Sequence, residues 1–411
     1  MGISASLYSG ISGLNTNGNA MSVIGNNIAN TNTVGFKASR TVFSDMLSAT
    51  VNGSGGVSQV GRGTGLSSVD NLFGQGTFES TESNTDLAIE GNGLFVLREP
   101  SSTTNFYSRA GAFRFNGDGY LVNPEGYRVQ GKTFDANGNL TAGDPTDVLV
   151  DINAGIPANM TANMSLATNL DANSTTIAAA FDVTDPATYN YASSTTVYDS
   201  LGNTHMLSTY FTKTAANTWS YNIVDESNTT VASSGATPLT FDSTGEQTGG
   251  GSITITGLNW GGGTSIQDID LTLDTTQYAN ESQVLSQDQD GYGPGNLMKI
   301  SIDETGTVTA NYSNGERIKV SQIVLAKFAN FGGLSKEGQN LFSATDAAGP
   351  PRTGVPGAEL GNLFTNALEQ STVDLAAEFV KMITTQRGFQ ANSRVITTTD
   401  EMLGELINLK R

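Results

Sequence analysis

The chain has no cysteine, a single histidine (His205) and, before Lys37, no charged residue at all. Without cysteine there are no disulfides and no thiolate metal sites. That leaves the compartment open, because cytosolic and secreted bacterial proteins can both lack it. One histidine leaves little scope for nucleophilic catalysis through a positioned imidazole. His205 follows a "DSLGN" turn on the expected strand "THMLSTYF" and reads as a surface strand histidine. Basic residues are also scarce: 20 Lys and Arg against 39 Asp and Glu give a net charge of −19. Phosphate binding needs a basic face, so the charge argues against nucleic acid as a partner and disfavours anionic membrane surfaces. No run of about 18 apolar residues occurs, so no membrane-inserted helix is expected. The N-terminus lacks the basic start, continuous apolar core and cleavage site of a secretory signal, so export would need another route.

What is present is turn-rich. Glycine is abundant at 48 residues, and charged residues make up only 14%. Asn116-Gly117, Asp118-Gly119, Asn137-Gly138 and Asn314-Gly315 are hairpin signals between alternating strands, so the middle of the chain reads as β structure. Both ends read as helices. Leu7, Leu14, Met21 and Ile28 recur every seven residues, with Ile11, Gly18 and Gly25 at companion positions. Gly10, Gly13, Gly18 and Gly25 each cost a helix interior roughly 1 kcal/mol relative to Ala, so this helix is expected to need partners. Leu375, Met382, Phe389, Ile396 and Leu403 repeat the spacing at the other end, and Phe379 widens the stripe. Ser371 and Asp374 resemble a capping box, and a helix from Thr372 to Leu409 would be about 57 Å long.

Between residues 145 and 284 there are 14 acidic residues and one basic, Lys213, which marks a separate, solvated β domain. Its flanks have a different, aromatic-rich texture. The expected fold class is therefore α+β and multidomain, with long terminal helices pairing as a coiled coil around two nested, mainly β domains. No enzyme site emerges. Paired-carboxylate glycosidase chemistry is conceivable with so many acids, but none stands out by context. Asp135, Asn137 and Asn139, with Asp288 and Asp290, hint at calcium loops, yet Leu140 and Thr146 stand where Gly and Glu are needed, so turns are the simpler reading. "GRGTG" at Gly61–Gly65 lacks the strand–helix setting of a nucleotide loop and reads as a flexible loop. No cofactor is expected.

The stretch "NNIANTNTVGFKASR" (Asn26–Arg40) closely resembles the signature of flagellar rod and hook axial proteins. The match falls on Asn27, Ala29, Asn30, Thr33, Gly35, Phe36 and Lys37. "DLAAEFVKMITTQRGFQANSRVITTTDEMLGELINLKR" (Asp374–Arg411) resembles the C-terminal half of that family. "FGQGTFESTESNTDLAIEGNGLFVL" and "YSRAGAFRFNGDGYLVNPEGYRVQG" resemble its first β domain. The acidic insert carries no motif that matches closely.

This resemblance implies a domain plan. Residues 1–30 and 365–411 form the helical inner tube, and 31–70 with 359–364 an extended linking segment. Residues 71–144 and 285–358 make the first β domain in a middle layer, and 145–284 an acidic outer domain. Within the family, chain length and a single insert fit a hook subunit: a self-assembling, curved, flexible tube that joins rod to filament around an export channel. The alternatives are a distal rod subunit with an insert or, in a different class, a secreted acidic β-rich hydrolase or adhesin. The implied partners are further copies of the chain, the distal rod protein, the hook–filament junction protein, the hook cap protein and the flagellar type III export gate. The implied location is the extracellular flagellum, reached without signal cleavage. "FSDML", with Phe43 and Leu47, resembles the short element by which early substrates engage that gate; the alternative is an apolar contact within the linking segment.

Overall fold

The computed structural model describes residues 2–53, 56–135, 138–152, 155–357 and 359–408. Asn137 of the calcium-loop reading and Leu409, the expected last residue of the C-terminal helix, lie outside them. Helix α1 spans Gly2–Ala29. It ends where an asparagine side chain competes for the backbone: Asn30 Nδ2 donates to Asn26 O at 2.9 Å, the same carbonyl that accepts from Asn30 N–H at 3.2 Å, and the Thr33 hydroxyl donates to Asn30 Oδ1 at 3.0 Å.

Helix α2 spans Leu375–Asn408, about 51 Å at 1.5 Å per residue. It starts three residues later than the heptads suggest, and its cap is Asp374, whose Oδ1 accepts from Ala376 N at 2.9 Å and Ala377 N at 3.1 Å. The preceding segment is held extended by other bonds. Ala367–Glu369 pairs with Phe78–Ser80, and Thr372 N–H donates to Phe36 O. Leu368, which continues the heptad in sequence, therefore lies in a strand. No helix among the described residues is long and apolar enough to cross a membrane.

By contact the chain divides into two units. The first contains Met1–Ile152, Ile300–Ala310 and Ile318–Arg411; the second contains Asn153–Lys299 and Asn311–Arg317. The acidic insert was expected at 145–284, so both its boundaries move. Thr146–Asp147 pairs with Gln130–Gly131, and Arg128 Nη1 binds Asp147 Oδ2 at 2.8 Å, which keeps 145–152 in the first unit. Gln283–Gln289 pairs with Asn163–Asn169, which places that strand in the second. Composition follows solvent exposure, whereas unit membership follows strand pairing.

In the first unit, Leu94–Arg98 pairs with Asn105–Ser108 and with Arg128–Val129, while Leu341–Phe342 extends the far side. Its core includes Leu94, Val96, Tyr107, Ala326, Phe328 and Phe342, with Phe73 packed on it. The segment after α1 is not a simple extended link. Ser39–Asp45 runs antiparallel to Thr64–Asn71, and Thr64 N–H donates to Ser12 Oγ on α1 at 3.2 Å.

The second unit holds two sheets over one core. One has the order Ser252–Leu258, Gln267–Thr276, Asn163–Asn169, Gln283–Gln289, with its central pair parallel. The other is a meander through Tyr191–Tyr198, Thr204–Ala215 and Thr218–Val224. Leu166, Leu271 and Leu273 from the first meet Phe211, Trp219 and Tyr221 from the second. In Gln267–Thr276 the residues alternate strictly: Ile269, Leu271 and Leu273 are buried while Asp268, Asp270 and Asp274 face solvent. The acidity of this unit is in part the outer face of that one strand.

Candidate assembly site at the ends of the chain

Helices α1 and α2 lie against each other, but α1 does not turn its apolar heptad stripe of Leu7, Leu14, Met21 and Ile28 fully into the seam. The α1 residues buried in the single chain are Gly10, Gly13, Thr16, Ala20, Ile24 and Asn27. A Cβ on Gly10 would fall 3.0 Å from Ile396 Cγ1, and one on Gly13 only 2.6 Å from the Asn392 carboxamide. On α2, a Cβ on Gly388 would meet Asn17 Oδ1 at 3.0 Å. The intrachain seam is thus built from small and polar residues that let the helices approach closely. Gly18 and Gly25, which belong to the expected seam, face open space.

Within the single chain the residues expected to pack the tube are only partly covered. Leu7, Leu14, Met21 and Ile28 on α1 are half-buried, as are Met382 and Ile396 on α2. Ile11, Leu375, Phe379, Phe389 and Leu403 are exposed, Phe379 by half of its surface. Val380, Ile383, Val395, Met402 and Ile407 extend this uncovered apolar surface along α2. Ala5, Tyr8, Ile11, Ser12 and Asn15 of α1 form with Met46 and Arg62 an open groove of about 700 Å³. Phe43 and Leu47 are exposed nearby in sequence, Leu47 by 90%.

Below the helix pair the chain turns, and the residues Asn27 to Lys37 make the turn. Gly35 has φ +69, and a Cβ there would lie 2.5 Å from Ala110 N, so both its conformation and its surroundings demand glycine. Its N–H donates to Glu369 O at 2.8 Å. Phe36 is buried. Asn27 acts as a substitute peptide group: its Oδ1 accepts from Ser39 N at 3.0 Å, and its Nδ2 donates to Ser39 O at 2.8 Å and to Glu378 Oε2 on α2 at 3.2 Å. Ala29 is exposed, while Asn30 and Thr33 close the helix end.

Lys37 joins a buried ionic cluster that sequence reasoning missed. Its Nζ lies 2.7 Å from Glu369 Oε1, with side-chain exposures of 2% and 0%. Arg109 Nε reaches Glu369 Oε2 at 2.5 Å, and Gly76 N–H donates to Oε1 at 2.7 Å. Further donors of the two cations reach backbone carbonyls. Lys37 Nζ binds Gly74 O at 2.6 Å, and Arg109 binds the carbonyls of Gly93, Ile89 and Gly91. Burial pulls the Lys37 ammonium below its ordinary pKa, and Arg109 adds to that, while Glu369 opposes both. Glu369 therefore ties three segments into one joint: the chain leaving α1, the first β domain, and the strand that leads into α2. Its partners lie 260 and 332 residues away in sequence, so no local pattern announces it.

An acidic residue of the calcium-loop reading has a structural role. Asp290 accepts from Ala162 N, Asn163 N and Asn163 Nδ2 at 2.8, 2.9 and 2.8 Å, which makes it a backbone clamp. Among the described residues, no cluster of three or more acidic or histidine side chains could hold a metal ion.

Comparison with known proteins accounts for nearly the whole chain. A family model described as "Flagella basal body rod protein" matches residues 7–37, and "Flagellar hook protein FlgE/F/G D1 domain" matches 88–179. "Flagellar basal body protein FlaE D2 domain" matches 169–292, the region in which no motif stood out, and "Flagellar basal body rod FlgEFG protein C-terminal" matches 365–409. The chain is 38% identical to the flagellar hook protein FlgE of Borreliella burgdorferi, over 98% of this chain and 99% of that one. It is 35% identical to the FlgE of Salmonella typhimurium, covering 97% and 98% of the two chains. In fold it is similar to the Helicobacter pylori flagellar hook protein FlgE2, with a TM-score of 0.53 at 15% identity over 71% of this chain and all of that one. With two terminal helices, nested β units between them and full-length relatives of this kind, the chain belongs to the flagellar hook protein family.

Proposed function

We propose that this chain is a structural subunit of a bacterial flagellar hook that polymerises with itself into a curved, flexible tube around a central export channel, a universal joint between rod and filament. Near-complete coverage of hook-named relatives, outer β unit included, favours this over a rod subunit with an insert or a secreted hydrolase. The family is a structural one, not an enzymatic one.

The observation that carries the reading is the uncovered apolar surface of α2. Phe379, Val380, Ile383, Phe389 and Met402 stay exposed even though α1 already lies against the helix. A monomer that leaves such a surface in water gains roughly 25 cal/mol for each Å² that other copies cover. Head-to-tail contacts of that kind build an open filament. In this reading the terminal helices pair as a coiled coil in the inner wall, the first β domain forms a middle layer and the acidic β unit the outside. Like-charged, hydrated outer surfaces let neighbours slide as the joint turns, where a large apolar interface would lock them. Specific partners beyond further copies are the distal rod, junction and cap proteins, and Phe43 and Leu47 engage the export gate; their exposure is compatible with that role.

Sedimentation velocity of the chain lacking residues 1–30 tests this. The truncated chain is expected to stay monomeric under conditions in which the full chain polymerises. Polymerisation of the truncated chain contradicts a role for α1 in the inner wall.

A further inference from the structure

The histidine of this chain is not a free surface side chain. His205 keeps 12% of its side-chain exposure and sits between two carboxylates, with Nε2 3.1 Å from Asp199 Oδ2 and Nδ1 2.9 Å from Glu226 Oε1. Its ring stacks on the Trp260 indole at 4.1 Å between centroids and 10° between planes. These partners come from three separate loops of the second unit: the turn after Tyr191–Tyr198, the turn after Thr218–Val224, and the connection between Ser252–Leu258 and Gln267–Thr276.

Each loop is otherwise held mostly by its own bonds. Asp199 Oδ1 accepts from Leu201 N and Asn203 N at 2.8 and 2.9 Å, and Asn203 Nδ2 binds Oδ2 at 2.9 Å. Asp225, beside Glu226, accepts from Ser227 N and Thr229 N within its own turn. Trp260 Nε1 donates to Gln267 Oε1 at 3.0 Å, and Ser265 N–H donates to Ser200 Oγ at 2.9 Å. The nearest lysine in sequence, Lys213, gives its ammonium to the Ala172 and Ser174 carbonyls. The charged groups that face the imidazole are thus Asp199 and Glu226, both acidic, and Trp260 covers its face.

A neutral imidazole carries one N–H, so one of its nitrogens would point a lone pair at a carboxylate oxygen. Only the imidazolium donates to both acids at once, and only the imidazolium gains a cation–π contact from the indole beneath it. We propose that His205 is a proton-operated clasp, which draws the 199–203, 225–229 and 259–266 loops of this unit together when protonated and, when neutral, releases Glu226 and loosens the Trp260 loop, which the Ser265–Ser200 and Trp260–Gln267 bonds still tether. Burial pulls the imidazole down, but the Glu226 and Asp199 carboxylates outweigh it and raise its pKa above the ordinary histidine value. Burial alone would raise the Asp199 carboxyl; the Asn203, His205 and Leu201 donors outweigh it and bring its pKa to about 2. The sign follows from linkage. With a raised folded pKa, the clasp is complete below the ordinary histidine value of about 6.5 and is lost as pH rises through the folded value. At the acid end its Asp199 contact weakens as pH falls from the ordinary Asp value of about 3.9 toward the depressed value of Asp199.

The full-length chain tests this by NMR titration of its one imidazole, together with amide exchange corrected for base catalysis. The titration midpoint is expected above about 6.5, and Glu226→Gln, which removes one facing carboxylate, lowers it. Exchange in 199–203 and 259–266 is expected to rise about tenfold as the imidazole deprotonates, and His205→Gln removes that dependence. A midpoint at or below the ordinary value, a midpoint unmoved by Glu226→Gln, or the same pH-dependent exchange in His205→Gln overturns the clasp. If His205→Gln fails to fold, the exposed Glu226→Gln variant decides alone.

Discussion

Glu369 is the residue on which most of the helix-to-domain joint depends. Replacing it with Gln leaves Lys37 and Arg109 buried without a carboxylate, and breaking a buried pair in this way costs about 3–5 kcal/mol. Urea unfolding of the full chain should show that loss for Glu369→Gln. Removing the exposed Arg352–Glu359 pair at 3.8 Å should leave the midpoint where it was. Equal effects would mean that the cluster is not a joint. Lys37 and Gly35 were visible in the sequence as parts of a motif, and the structure supplies their chemistry: an ammonium inside a buried cluster and a left-handed turn beneath Ala110. Glu369 and Arg109 were not visible. A lone Glu in "ALEQ" and a lone Arg in "YSRAG" look like ordinary surface charges until the fold brings them together.

At the scale of elements, the seven-residue spacing revealed both helices but not which face each presents to the other. Periodicity reports where apolar residues lie; it does not say whether the partner is in the same chain. Within one chain the helices meet through Gly10, Gly13, Asn392 and Gly388, while Phe379 and Phe389 stay in water. The two kinds of glycine should therefore respond differently. Gly18→Ala, facing open space, should stabilise α1 by about 1 kcal/mol, whereas Gly10→Ala must displace Ile396 and loses that gain. Thermal unfolding followed by circular dichroism separates the two. Phe379→Asp should barely alter the unfolding of the free chain, because the side chain is already half exposed, but should abolish polymerisation measured by light scattering. Unimpaired polymerisation would show that this face meets no other copy. The cap of α2 was misplaced by three residues for a related reason: the pull of Phe36 and of the Phe78–Ser80 strand on residues 367–372 is tertiary and leaves no local trace.

For the whole molecule, the nested order of helix, β, β, β, helix could be read from shifts in composition, because charge and aromatic content track which faces meet water. The ends of the second unit could not, since Asp147 and Gln283–Gln289 are assigned by their pairing partners. Replacing residues 153–299 by a short flexible linker should preserve tube formation while altering curvature, if the acidic unit only shapes the outside. The most direct test of the whole account is electron microscopy of the purified full-length chain under polymerising conditions. Curved tubes with a central channel are the predicted result. A population that remains monomeric, or straight solid fibres with no channel, would contradict it.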